Sequence, residues 1–172
     1  SEVILDPAAV ERTQALLQAL HPDRQARDAE GLWDVLRRTG PHPLPALRAR
    51  TREDVRDRVP GWLAELEAAR RVIRVRLAGH AEDETEQWAV VEDAGRLRDA
   101  LGVALPVGVP EAFTELVDDP LGDLLRRHAR THAPFGAADA ARRFGLGVAV
   151  VQRALAGLES AGTVVRGALL PS

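Results

Sequence analysis

The stretch from Leu121 to Gly167 constrains the fold more than any other part of the chain. Three helical patterns of roughly 8 to 14 residues are separated by Ala133-Pro134-Phe135 and Gly145-Leu146-Gly147, and they lead into the β-branched run Thr163-Val164-Val165. Helix, helix, tight glycine turn, longer amphipathic helix, then strand is the order of a helix-turn-helix with a wing appended, whose third helix is the one offered to a DNA groove. On that third helix Val151, Leu155 and Leu158 share an inner side, while Ala149, Gln152, Arg153 and Ala156 fall nearer to solvent.

A similar order appears upstream. The run WLAELEAARRVIR (62–74) aligns with ALAGLESAGTVVR (154–166) at an offset of 92, and Gly40-Pro41 answers Ala133-Pro134 at an offset of 93. Such a repeat predicts two tandem winged-helix domains in a mainly α fold with small β-hairpin wings, an α+β arrangement. The expected division is an N-terminal strap helix over 1–27, a first winged helix over 28–101, a packed connector over 102–119 and a second winged helix over 120–172. The second wing begins at Gly167 without finishing.

Local signals fill in the first half. Asp6-Pro7 caps a helix that His21-Pro22 stops. Leu32, Trp33, Val35 and Leu36 mark the next helix, Leu44 to Arg50 a short one, and Arg52 to Ala69 a third that Pro60 bends or delays. The strand Val72 to Leu77 places Ile73, Val75 and Leu77 on one face and Arg74 and Arg76 on the other; Gln87 to Glu92 returns as its hairpin partner. Trp33, Trp62 and Trp88 fall at core spacing. The connector carries Val103, Leu105, Val107, Val109 and Phe113, too apolar for a flexible tether, and is expected to lie against a domain.

Composition narrows the chemistry. There is no Cys, Lys, Tyr, Asn or Met, so thiolate zinc sites, disulfides, Schiff bases and a phosphate-loop lysine are excluded, and all 23 positive charges are Arg. A chain with no Met reads as a piece of a longer protein. No apolar run is long enough to cross a bilayer, and the acidic amphipathic start is unlike a signal peptide; the expected location is the cytoplasm, with no membrane partner. Net charge is −3, but residues 118–172 hold seven Arg against five acids, so attraction to phosphate belongs to the C-terminal part.

The candidate DNA-binding residues are Arg142 and Arg143, just before the glycine turn, with Gln152, Arg153 and Arg166; contact with phosphate and shape suits them better than base reading. Arg126, Arg127 and Arg130 read as a solvated helix face. His128 and His132 have i, i+4 spacing that suits a metal, but no third ligand is evident, and no catalytic residue, metal or cofactor is expected here. The first hairpin's tip, Glu82 to Glu86, holds four acids, which would repel phosphate and instead favours packing or protein contact.

The runs EDAGRLRDALGVALP (92–106), GVPEAF (108–113), DPLGDLLRRHARTHAPF (119–135) and RRFGLGVAVVQRAL (142–155) resemble the large helicase-related (Lhr) family of bacterial superfamily 2 DNA helicases. The resemblance implies a non-catalytic section from the region C-terminal to a helicase core, helping to hold or orient DNA, independently of sequence, in repair-linked translocation. It also implies that ATP and Mg bind elsewhere in the parent, whose remaining chain is a partner. The alternatives are a protein-interaction or self-association module of the same parent, and a free-standing winged-helix transcription regulator.

Overall fold

Asp6 accepts a hydrogen bond from the Ala8 amide (3.1 Å), and Pro7 supplies the fixed φ of a first helical turn, so α1 (Pro7–Leu17) starts where the sequence predicts. The structure, a computed structural model, describes residues 6–164 and 166–170. Asp28 caps α2 (Ala29–Thr39) in the same way, accepting from Gly31 N at 2.7 Å. After α3 (Leu44–Ala49), the single helix expected from Arg52 is split into a 3-10 turn, Glu53–Arg58, and α4 (Val59–Ala68). Pro60 is the reason: it lacks the amide a continuing helix needs, yet fits the first turn of a new one.

Strands β1 (Val72–Arg76) and β2 (Glu86–Val90) pair antiparallel, with Ile73 opposite Ala89 and Val75 opposite Gln87. Their connection contains one helical turn, α5 (Glu82–Thr85), where an open acidic tip was expected; its acids stand in the first turn, at the positive end of the helix dipole. A 3-10 turn (Val91–Asp93) leads into α6 (Ala94–Leu101) and then the connector, where Val103 is buried and Leu105, Val109 and Phe113 pack on the core, but Val107 is fully exposed. The final helices are α7 (Pro120–His132), capped by Asp119 accepting from Gly122 N (3.1 Å), α8 (Ala137–Phe144) and α9 (Val148–Ser160).

Two apolar clusters organise these elements. Leu32, Val35, Leu36, Leu47, Val59, Leu63 and Leu66 build one among α2, α3 and α4, with Val72 and Val90 as its edge. The other joins Leu97 of α6, Leu124 and Leu125 of α7, Phe144 of α8 and Val151 and Leu155 of α9 to the opposite face of the hairpin, Ile73, Val75, Leu77 and Ala89. The alternation read in β1 holds, and both faces of the hairpin carry apolar side chains. Instead of projecting as a free wing, it is a wall shared by both clusters.

The strand expected at Thr163-Val164-Val165 is not seen as a wing. Thr163 and Val164 follow a turn and Val164 is buried, Val165 lies outside the described residues, and a 3-10 turn (Arg166–Ala168) follows. Among the described residues the only β contact there is a single parallel bridge between Phe135 and Leu169. With no antiparallel partner strand beside it among those residues, this run has no ladder to hold it extended. The described sheet is thus one two-stranded hairpin, extended by the antiparallel bridge from His42 to Trp88.

Candidate nucleic-acid interface

Helices α8 and α9 are the pair expected from the sequence to form a helix-turn-helix, and their burial decides which side chains face solvent. Val151, Leu155 and Leu158 turn inward, leaving Val148, Ala149, Gln152, Arg153 and Ala156 exposed along one side of α9, as the periodicity predicts. Arg142 is exposed at the end of α8 and pairs with Asp139. Arg142, Gln152 and Arg153 therefore all stand at the solvent surface of this unit. The side chain of Arg166 lies outside what the structure describes.

Arg143 behaves differently from its neighbour. It reaches back between the two clusters, where Nη2 donates to the carbonyls of Thr39 and Pro41 (3.4 Å for the latter) and Nη1 to His128 Nδ1 at 3.1 Å. Gly40, with φ +90°, leaves the space: a Cβ there would stand 3.0 Å from Arg127 Nη2 and 3.3 Å from Arg143 Nη2. Burial and the nearby Arg127 and Arg50 guanidinia push Arg143 down to about 9. Its hydrogen bonds tie α8 to the end of α2, an internal role that a search for solvent-facing cations does not reveal.

The same seam holds the buried histidines. His128 Nδ1 accepts from Arg143, so its proton sits on Nε2, and burial pushes its pKa down to about 2. His132 stacks on it with 4.0 Å between ring centroids and is pushed down to about 4 by burial and by Arg143. His42, hydrogen-bonded to Thr39 Oγ1 at 2.7 Å, is held well below the usual histidine range by burial and by Arg50. The i, i+4 histidine pair on α7 is thus occupied in stacking, and His128 packs against Phe135 and Phe144.

A cleft of about 540 Å³ opens between α2 and α7. Arg37, Arg96, Arg126, Arg127 and Arg130 line it, with Trp33 on one wall, against three acids: Glu92, Asp93 and Asp123. Asp93 is buried and takes both Arg127 (2.8 Å) and Arg96 (2.8 Å); Asp123 takes Arg96 (3.2 Å) and Arg126. Reading Arg126, Arg127 and Arg130 as one solvated face missed this grouping. Arg127 is buried, and the partners that draw Arg96 toward Arg126 come from another helix. The local signal was the Asp-x-x-Arg spacing of Asp93/Arg96 and Asp123/Arg126.

Comparison with known proteins agrees with this architecture. The winged-helix domain family of large helicase-related proteins matches residues 3–116. A Mycolicibacterium smegmatis protein described as "Lhr helicase/ probable uracil glycosylase" is 48% identical over 164 residues, covering 95% of this chain and 10% of that protein. An Escherichia coli protein described as "Lhr helicase/uracil glycosylase" is 38% identical over 162 residues, covering 94% of this chain and again 10% of the relative. The chain spans about a tenth of the length of these relatives. With a family match across its first two thirds and a hairpin-bearing helical fold in the matched segment, this chain belongs to the winged-helix domain family of the large helicase-related proteins.

Proposed function

We propose that the chain is a non-catalytic, DNA-holding section of a larger ATP-dependent helicase, orienting the strand while the parent translocates in repair. The observation that carries this reading is the exposed side of α9, with Gln152 and Arg153, together with the exposed Arg142 of α8, in a chain of this family. Helices α7 to α9 are read as a second winged helix in tandem with the first, joined by the connector over 102–119. ATP and Mg belong to parts of the parent outside this chain. A parent that also removes uracil, as the names of the relatives give as probable for one and outright for the other, needs its DNA held while the base is presented unstacked, from a single strand or flipped out of a duplex. With one or two arginines on the α9 side, the contact expected is to phosphates rather than to base edges.

Fluorescence anisotropy with labelled single- and double-stranded DNA, at about 50 and 200 mM salt, tests this. Salt-sensitive binding is expected, and Arg142→Ala with Arg153→Ala should weaken it for all sequences alike and flatten the salt slope by about one unit for each phosphate no longer neutralised. No binding by the folded chain would reject the reading. The other reading is a protein-contact or self-association module. Its support is the acidic turn α5 and the exposed Val107 and Leu116, and it predicts concentration-dependent association in sedimentation without DNA.

A further inference from the structure

The two third helices, α4 and α9, are nearly bare of positive charge. The exposed residues of α4 include Glu65 but no arginine, and α9 offers Arg153 alone. The first hairpin's arginines are largely spoken for, Arg71 by Glu30 (3.1 Å) and Arg74 by Glu67 (2.8 Å). In a chain of net charge −3, the cleft between α2 and α7 gathers five arginines against three lining acids.

We infer that this cleft is a binding site for the phosphodiester backbone of nucleic acid, taking phosphates between Arg37 on α2 and Arg126 and Arg130 on α7. The inference rests on the DNA-holding reading and moves its main contacts away from the α9 side. Three observations support it. First, arginines outnumber acids five to three among the lining residues, with Asp34 and Asp119 at the rim pairing with Arg37 and Arg126; Asp93, which like Asp123 accepts from two arginines, is only 2% exposed, so its charge is neutralised inside. Second, Asp123 and Asp119 hold Arg126 in place while using two of its five N–H groups, and a pre-oriented planar fork with donors to spare suits phosphate contact. Third, Arg130 is exposed with no acid partner among the described residues, and Arg37, half exposed, pairs only with Asp34 of its own helix. Trp33 adds an aromatic wall, its ring covered by Arg71 at 4.8 Å and Arg37 at 5.9 Å. An acidic protein segment would be drawn by the same charge; the fork geometry and the family favour phosphate.

The test compares two double variants of the 172-residue chain, R37E/R130E in the cleft and R142E/R153E at the α8–α9 surface, by anisotropy of a fluorescein-labelled oligonucleotide, single-stranded and duplexed. Circular dichroism and thermal unfolding confirm the fold, and R37Q/R130Q serves if charge reversal destabilises it. The cleft variant is expected to bind at least about tenfold more weakly at low salt, with a salt slope lower by about two units. Unchanged affinity and slope in the cleft variant, with loss in R142E/R153E, would overturn the inference and keep the DNA-holding reading. No binding of either DNA by the unaltered chain would overturn both. Binding of polyglutamate that the cleft variant abolishes, with none of DNA, would give the cleft to an acidic protein segment and overturn the phosphate assignment.

Discussion

Gly145 is a point where one atom decides whether the two halves of the molecule meet. It ends α8 in the left-handed region, φ +67°, and a Cβ there would overlap the carbonyl oxygen of Ala78, just beyond β1. His80 Nε2 donates to Arg143 O at 2.9 Å in the same region. Gly145→Ala is therefore strained by its backbone angle and also pushes the hairpin off the helix turn; it should cost about 2–4 kcal/mol by chemical denaturation. The histidines make a second prediction. Their pKa values are depressed in the folded state, His132 to about 4 and His128 to about 2, whereas the unfolded chain binds protons near the ordinary value of 6.5. Unfolding then takes up protons below pH 6.5, so stability falls as pH drops through that value, and the loss is complete only below the folded pKa values. Between about pH 6.5 and pH 5 each histidine should lower stability by about 2 kcal/mol. Urea unfolding across that range should show the decline, and His132→Gln should make it shallower. An unchanged slope in that variant would mean that His132 is not held neutral.

At the scale of elements, α1 shows what a helix without its own core can do. It packs along α7, and Gln14 Nε2 donates to the carbonyls of His132 (2.7 Å) and Ala133 (3.1 Å), which the end of α7 leaves without helical partners. Gln14→Ala should cost about 1 kcal/mol and speed amide exchange in α1 before the rest of the chain, as read by hydrogen-exchange mass spectrometry. That α1 needs a surface to pack on was legible in its amphipathic face; its seat on α7, more than a hundred residues on, was not. The helices of the C-terminal unit were legible because their apolar spacing and glycine stops are local, and the same holds for the inward side of α9. The adjacent arginines of α8 show the limit. Ala140, Ala141 and Phe144 are buried, and Arg143 lies closer to that stripe than Arg142 does, so the helical wheel ranks them. Only the carbonyls of Thr39 and Pro41, supplied by α2 and the residues after it, turn that ranking into a buried contact. The cleft was hidden for the same reason, since Asp93 and Asp123 approach one another only when α6 packs on α7.

For the whole molecule the shared hairpin matters most. Val72 and Val90 close one apolar cluster while Ile73, Val75 and Leu77 close the other, so neither cluster keeps its wall if the hairpin opens. Arg143 and Gly145 add polar and steric locks across the same boundary. Two winged helices on a tether would melt separately; two clusters on a common sheet should melt together. Calorimetry is expected to show one transition, with the van't Hoff enthalpy equal to the calorimetric one. Val75→Ala, at a residue only 2% exposed, should cost about 2 kcal/mol through its cavity and lower the single midpoint by about 4–8 °C without splitting it. Two resolved transitions, of which Val75→Ala shifts one, would mean that the hairpin belongs to the C-terminal cluster alone. A single transition would put the α2–α7 cleft and the α9 side on one cooperative unit, so that a strand bound as proposed would meet both at a fixed separation.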